Sequence, residues 1–422
     1  MKQYRKRIAD GILLDMLEAK GAVLIEGSKW CGKTTTAAQI AKSSIYMQDP
    51  AKKSQYLKMA ELDPSLLLEG DTPRLIDEWQ LAPQLWDAVR FEVDQRDEFN
   101  QFIMTGSSAP IGDMSTSHSG TGRISRMVMR PMTLYESGDS NGSISIADMF
   151  KDPKEITAKS ELDIQRIAYL ICRGGWPKSL GQNEKVALRQ AYDYFDAVVE
   201  SDISNADGIS RNPQRAKLLM RSLSRFIATD AKVVNIRADM ISNDIDSLTE
   251  DTIFSYITAL KRIFVVENLP AWSPNLRSKT AIRTSDTRHF VDPSIAVASL
   301  GIGPDDMLND LNTMGLFFES MCIRDLRVFS EALDGAVYHY RDKSGLECDA
   351  VVHLRNGSYA LIEMKLGGSE VDDAAKNLLL LKNKIDTDRM KAPSFLMILT
   401  GMEFGYKRED GVYVVPIGCL KD

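Results

Sequence analysis

Cysteine and histidine are scarce in this chain, with five Cys and four His among 422 residues. The cysteines, at 31, 172, 322, 348 and 419, are odd in number and scattered, and none forms a Cys-x-x-Cys. That excludes a disulfide framework and a thiolate zinc site, and it implies reduced thiols. No two histidines stand at ligand spacing, which removes imidazole zinc chemistry as well. Long apolar runs are also missing: nothing approaches the ~20 residues of a membrane helix. The basic start, Met1-Lys-Gln-Tyr-Arg-Lys-Arg7, leads into no secretory apolar core. The expectation is a cytoplasmic protein with no membrane partner. A positive charge excess is lacking too. The formal charge of −7 gives no global attraction to nucleic acid, so any such contact must be local. There is no internal repeat and no long low-complexity tract.

What is present is ordinary globular material, 44% hydrophobic and 26% charged. The length is too great for one core and predicts two or three domains. The most specific stretch is Gly27-Ser28-Lys29-Trp30-Cys31-Gly32-Lys33-Thr34, with Thr35 next. It fits the phosphate-loop pattern of Gly, four residues, then Gly-Lys-Thr. Gly21 to Glu26 before it reads as a short buried strand, and Thr34 to Lys42 after it reads as a helix. Loop N–H groups and the helix N-terminus make an anion cradle. Lys33 is placed to reach the β- and γ-phosphates of ATP, and Thr34 to ligate Mg²⁺. Upstream, Tyr4, Arg7 and Ile8 either flank a base or serve as helix cap and core.

Pro73-Arg-Leu-Ile-Asp77-Glu78 is a short apolar strand ending in two acids. Asp77 there serves the metal and Glu78 polarises the attacking water. Gln101-Phe-Ile-Met-Thr105-Gly-Ser107-Ser108 is another strand, whose Ser107 either senses the γ-phosphate or simply turns the chain. Ser115 to Gly122 reads as a loop, and Arg123, Arg126 and Arg130 follow it. Each of these arginines reads either as a surface or salt-bridge residue or as a cation for a γ-phosphate, in its own subunit or a neighbour's, with Arg123 the candidate for the latter. Met127 to Pro131 reads as the last strand. Alternating strands and helices predict a parallel sheet covered by helices, an α/β fold.

This order of loop, Asp77-Glu78, Thr105-Gly-Ser-Ser, Gly122-Arg123 and Pro131-Met-Thr-Leu-Tyr-Glu136 resembles a bacterial and archaeal group of AAA-superfamily ATPases. The resemblance implies an ATPase domain over residues 1–140, a helical lid and winged-helix region over 141–300, and a restriction-endonuclease-like domain over 301–422. In that group the position of Trp30 is often small; an outward side chain leaves the anion geometry intact. The resemblance also implies that Arg173-Gly-Gly-Trp-Pro177 is a lid contact, where local reading gives a helix C-cap and turn.

Ser137 to Ser145 reads as a linker. Ala187 to Asp202 reads as a helix. Arg211 to Arg237 carries seven basic residues, among them Lys217, Arg221 and Arg225, spaced four apart on one helix face. Thr249 N-caps the next helix, and Phe264 to Leu269 alternates as a strand. Helix, turn, helix and strand pair is a winged-helix pattern, used either for DNA or for protein packing.

Farther on, Gly301 to Asp310 reads as a loop and Leu311 to Leu326 as a helix containing Glu319. Asn356-Gly357 between alternating runs signals a hairpin. Its pairing brings Asp349 beside Glu363 and Lys365. Asp349 and Glu363 would bind Mg²⁺ or Mn²⁺, Lys365 would orient water or offset charge, and Glu319 could add a carboxylate. Gly345-Leu-Glu-Cys-Asp349 and Glu363-Met-Lys365 look like the PD-(D/E)xK nuclease core. The leading expectation is an ATP-hydrolysing protein acting on or near DNA, with coupled metal-dependent phosphodiester cleavage. The alternative is a nucleotide-dependent switch, in which an inactive nuclease-like fold docks a protein partner or a second copy. A kinase is disfavoured because no acceptor-substrate lid follows the loop.

Overall fold

In the computed structural model, described over residues 4–107, 121–241, 249–277 and 282–422, the apolar run before the phosphate loop forms β1 (Ala22–Glu26). Parallel to it lie β2 (Ser43–Tyr46), β3 (Arg74–Asp77), β4 (Phe102–Gly106) and β5 (Ile124–Val128), in the order β2-β3-β4-β1-β5. Parallel strands bury both faces. On one face, Leu13 and Leu17 of α1 (Ile8–Ala19) and Ala37 of α2 (Lys33–Ile40) join the core of Val23, Ile25 and Ile103. On the other, Leu85, Trp86 and Val89 of α3 (Gln84–Arg96) join that of Leu24, Ile76 and Met104. The expected parallel α/β sheet is present. Its last strand starts earlier than the apolar run Met127 to Pro131, because Ile124 pairs with Ala22. Ser108, most of the loop expected from Ser115, and Ser247 lie outside the described residues.

Helices follow. Asp163 caps α4 (Ile164–Arg173), and Asn183 caps α5 (Glu184–Ala197), which runs into a π-turn over Val198–Asp202. Next come α6 (Pro213–Arg225), α7 (Val233–Ile241) and α8 (Glu250–Arg262). The Thr249 hydroxyl accepts from the Thr252 N–H, as its cap position predicts. The run after α8 does not become a regular strand. Val266 and Leu269 meet Phe290 and Thr287 only in isolated bridges. A left-handed Phe264 (φ 56°) turns the chain just before it, and Pro270 offers no N–H to extend the ladder. The buried α9 (Pro293–Leu300) closes this region. The stretch read as a loop from Gly301 contains a short helix, Pro304–Asn309.

The long α10 (Leu311–Ala332) then leads into a seven-stranded sheet. Two short strands from far upstream join this end of the chain. β6 (Ile144–Ser145) forms a separate small pair, while β7 (Thr157–Lys159) edges the large sheet. The rest are β8 (Gly335–Arg341), β9 (Glu347–Leu354), β10 (Tyr359–Lys365), β11 (Leu396–Thr400), β12 (Phe404–Lys407) and β13 (Tyr413–Pro416), with β14 (Leu420–Lys421) pairing β6. The order is β7-β12-β13-β11-β10-β9-β8. β9 and β10 are the antiparallel hairpin expected around Asn356-Gly357. α10 covers one face, and α11 (Val371–Lys384) covers the other.

These pairings join the segment after residue 140 to the C-terminal end of the chain. The segment read as linker and lid supplies β7 to the C-terminal sheet, where it pairs with β12 and covers its edge, and supplies β6 to the small pair with β14. The middle helices also share one continuous core with α10 and that sheet. The region expected over 141–300 therefore shares its core with the C-terminal sheet.

Candidate functional site

The phosphate loop connects the C-terminal end of β1 to α2. Gly27 has φ 143°, and a Cβ there would lie 2.1 Å from the Met129 carbonyl oxygen, so only glycine fits. Trp30 is also left-handed (φ 65°) and 40% exposed, which satisfies the expectation that its side chain points outward. Cys31 is buried beneath the loop. Lys33 is buried and donates to the carbonyls of Gly27 and Ser28, each at 2.8 Å.

Parallel register brings the acids to the same end of the sheet. Asp77 ends β3, level with Thr105 on β4. Its Oδ1 accepts from Thr34 Oγ1 at 2.6 Å and from Thr105 Oγ1 at 2.7 Å. Its Oδ2 accepts from Gln48 Nε2 at 3.3 Å. Asp77 is fully buried, and these hydroxyls orient it. Glu78 follows in the left-handed region (φ 56°), which turns its side chain off the strand pattern. Burial raises the Glu78 carboxyl above its ordinary range, opposed by the Gln80 amide bond and by the charges of Lys33 and Lys29. Ser107, two residues past Thr105, is buried at the end of β4. Sequence reasoning gave the sensing role to Ser107. On β4 the hydroxyl that meets Asp77 belongs to Thr105, and the β3–β4 register was the signal that could have identified it. Gln48 and Gln80 carried no sequence signal.

Arg7 caps α1, and Tyr4 bonds Asp10 of that helix at 2.6 Å. Arg7 is buried, donating to Glu136 Oε1 at 2.9 Å, the Cys31 carbonyl at 2.8 Å and the Arg130 carbonyl at 2.9 Å. It is a brace beneath the loop. Arg7 and Tyr4 both line a cavity of about 650 Å³ beside α2, together with Gly32, Thr35, Pro177 and Gly181. The Gly-Gly-Trp-Pro segment thus packs over the loop. A Cβ on Gly175 would lie 2.1 Å from the Met132 carbonyl, which explains why this segment needs glycine.

Arg123 does not reach its own loop. Its neighbour Ile124 pairs with Ala22 at the N-terminal end of β1, the end opposite the phosphate loop. Its guanidinium donates to Asp94 at 2.7 Å. Action on its own subunit's γ-phosphate is corrected by that topology. Arg130 is engaged by Glu267 and Glu331.

A second cluster lies on the β9–β10 hairpin. Lys365 Nζ stands 2.9 Å from Glu363 Oε2 and 3.2 Å from Asp349 Oδ2. Asp349 Oδ2 also accepts from the Met364 N–H at 2.8 Å. Glu363 is 1% exposed, and its Oε1 is buried without a hydrogen-bond partner. Burial, then the charge of Asp349, pushes the Glu363 carboxyl well up, against the pull of Lys365. Burial alone would lower Lys365, but the charges of Asp349 and Glu363 carry it up. Glu319 of α10 is raised by burial and by the charge of Asp349, so it faces the same cluster. Among the described residues, no group of three or more His, Cys, Asp and Glu is disposed to hold a metal ion. The two hard carboxylates and the orphan Oε1 fit a divalent cation chemically, with Lys365 now acting as their counter-charge.

Family models match three successive segments of the chain. Residues 19–137 match the AAA domain family. That segment is similar to AAA domains. It contains the phosphate loop with Asp77, Glu78 and Thr105 at the same end of the sheet, which supports a nucleotide-binding P-loop domain. Residues 164–306 match a domain of unknown function, DUF8612, and residues 314–420 match another, DUF4143. The chain is 23% identical over 362 residues to uncharacterized proteins Rv2008c of Mycobacterium tuberculosis and Mb2031c of Mycobacterium bovis, covering 84% of this chain and 72% of each relative. Among solved structures, the Walker-type ATPase PABY2304 of Pyrococcus abyssi aligns at 13% identity and TM-score 0.42, over 70% of this chain and 96% of that one. The Aeropyrum pernix Orc1 protein in complex with DNA aligns at 12% identity and TM-score 0.26, over 74% and 95%. No helix among the described residues is long and apolar enough to cross a membrane.

Proposed function

We propose that the protein is a Mg²⁺-dependent ATP hydrolase whose nucleotide state governs the C-terminal acid cluster. The observation that carries this reading is the joining of Thr34 to Asp77 beside Glu78. Thr34 and Asp77 would hold Mg²⁺, directly or through water, and the ion would neutralise phosphate charge. Glu78 takes a proton from the attacking water, or orients it. Lys33 and the loop N–H groups from Gly27 to Thr35 bind the phosphates. The cavity beside Tyr4 and Thr35 suits a base and sugar in size. Ser107 completes the γ-phosphate end of the site. Arg123, at the far end of the sheet, acts only on a neighbouring copy, which makes a homo-oligomer part of this reading.

The C-terminal cluster is read as a restriction-endonuclease-like phosphodiesterase site. Helix, antiparallel strands, helix and parallel strand run from α10 through β8, β9, β10 and α11 to β11, which supports that reading. Asp349 and Glu363 would hold Mg²⁺ or Mn²⁺, whose contribution is to acidify a bound water. Lys365 offsets the charge that develops. DNA is the substrate offered by α6, where Lys217, Arg221 and Arg225 are exposed, although Arg225 also pairs with Asp239 at 2.6 Å. α6, α7 and α8 with the bridged segment after them are read as a winged helix.

A second reading has its own observation. Lys365 lies between the two acids, where a cation would sit. In this reading the fold is a docking surface, and the AAA domain switches a protein partner. Plasmid and single-stranded DNA incubated with Mn²⁺, with and without ATP, discriminate the two. Cleavage lost in Asp349→Ala and Lys365→Ala supports the nuclease reading. Absence of cleavage, with no DNA binding at low salt, supports the switch.

A further inference from the structure

Two consecutive residues of the phosphate loop are held from the same helix of the middle region. Lys29 Nζ donates to Asp202 Oδ1 at 2.6 Å. The next residue, Trp30, meets the Tyr194 ring edge-on with centroids 5.6 Å apart. Tyr194 is on α5, and Asp202 ends the π-turn that continues it. Such turns add a residue to the helical repeat and re-aim the side chains beyond them. Tyr194 also stacks on Trp176 at 4.4 Å, and the Trp176 indole donates to Ser294 Oγ at 2.9 Å. The loop is thus connected through Tyr194 to the buried centre of the middle region.

Lys29 differs from Lys33 in its surroundings. Its side chain is 48% exposed, whereas that of Asp202 is 9% exposed. The positive charges of both lysines reach Glu78. A terminal phosphate placed between Lys33 and Glu78 therefore lies in the field of Lys29 as well. We propose that Lys29 is a second γ-phosphate cation and that Asp202 is the positioning carboxylate that competes with the γ-phosphate for it. The inference rests on the ATP reading of the loop. A triphosphate draws the ammonium away from Asp202 and loosens α5 from the loop. A diphosphate lacks the competing oxygens and leaves the pair closed. The contact thereby reports the third phosphate to the middle helices, and through them to the core shared with the C-terminal sheet.

The test is equilibrium binding of Mg²⁺–ADP and a Mg²⁺-bound non-hydrolysable ATP analogue to the full chain. Asp202→Asn keeps the shape but removes the competing charge. It is expected to tighten analogue binding about fivefold, the effect of a partly exposed pair, and to leave ADP nearly unchanged. Lys29→Met, at a half-exposed position, is expected to weaken the analogue about tenfold with little effect on ADP. In the double variant Asp202→Asn should have no further effect. Equal shifts for both nucleotides, or an Asp202→Asn effect that persists with Met at 29, would overturn the inference. If wild type binds both nucleotides and only the Lys29 dependence is missing, the ATP reading stands and this one falls. If wild type binds neither, both fall.

Discussion

Thr34 and Asp77 are joined by one short hydrogen bond, hydroxyl to Oδ1, at 2.6 Å. Thr105 donates to the same oxygen at 2.7 Å, while Oδ2 takes a longer bond from Gln48 at 3.3 Å. Oδ1 is therefore fixed by two hydroxyls, and Oδ2 is the oxygen better placed for a metal-bound water. Asp77→Asn keeps the hydrogen-bond shape and loses the charge. ATP turnover should fall about 100-fold, and a Mg²⁺ titration should show weakened metal dependence. Thr105→Val should give a smaller loss, about tenfold, since the metal-facing oxygen remains.

The raised carboxyl of Glu78 sets a pH dependence. A base must be ionised, so turnover should fall as pH drops through a value above the ordinary carboxylate range. The same shift acts on stability with a definite sign. The folded state holds this proton more tightly than the unfolded chain does. Stability from this group is therefore present at low pH and is lost as pH rises through the raised value. Glu78→Gln should abolish the acid limb of the rate profile and melt slightly higher than wild type at neutral pH.

Arg130 connects the AAA domain to the rest of the chain by bonding Glu267 at 2.7 Å and Glu331 at 2.6 Å. Burial alone would raise Glu267, but the charges of Arg130 and Arg327 hold it down to about 2. A depressed carboxyl contributes stability at neutral pH that is lost as pH falls from the ordinary range toward that value. With Glu267 28% and Glu331 25% exposed, solvent screens part of the interaction. Arg130→Ala should cost about 2–3 kcal/mol in urea unfolding at neutral pH and less near pH ~3.

Lys365 neutralises two acids, and its removal tests the metal chemistry without a nuclease assay. Glu363, already raised, moves further up when Lys365→Ala deletes its counter-charge. Because the folded state then binds the extra proton, the loss of stability should deepen as pH rises. At neutral pH about 3 kcal/mol is expected. Mn²⁺ should restore the melting temperature of Lys365→Ala but not that of Asp349→Ala/Lys365→Ala. No recovery in the single variant would show that these acids do not bind the ion.

The exposed bases of α6 predict a salt effect. If Lys217, Arg221 and Arg225 contact phosphates, changing all three to alanine should reduce the log affinity against log salt slope by about 2–3. An unchanged slope would place any DNA contact elsewhere.

Local chemistry was legible in the sequence wherever it was carried by residues adjacent in the chain. The phosphate loop, Asp77-Glu78 at a strand end, the Thr249 cap and the Asn356-Gly357 hairpin could all be read from spacing. Relationships set by register or by distant pairing could not. Thr105 meets Asp77 only because β3 and β4 align, and Arg123 is carried to the wrong end of the sheet by the same rule. β6 and β7 have too few residues to announce themselves, and their sheet partners lie more than two hundred residues away. Lys29 and Asp202 likewise carry no signal separately; their meeting depends on a π-turn at the end of α5.

The central claim is ATP hydrolysis at the site formed by Lys33, Thr34, Asp77 and Glu78. Single-turnover release of phosphate from Mg²⁺–ATP, measured alongside nucleotide binding, tests it most directly. The account predicts turnover in wild type, loss of binding and turnover in Lys33→Ala, and retained binding with turnover reduced at least ~100-fold in Glu78→Gln. Phosphate release by Glu78→Gln at the wild-type rate would contradict it.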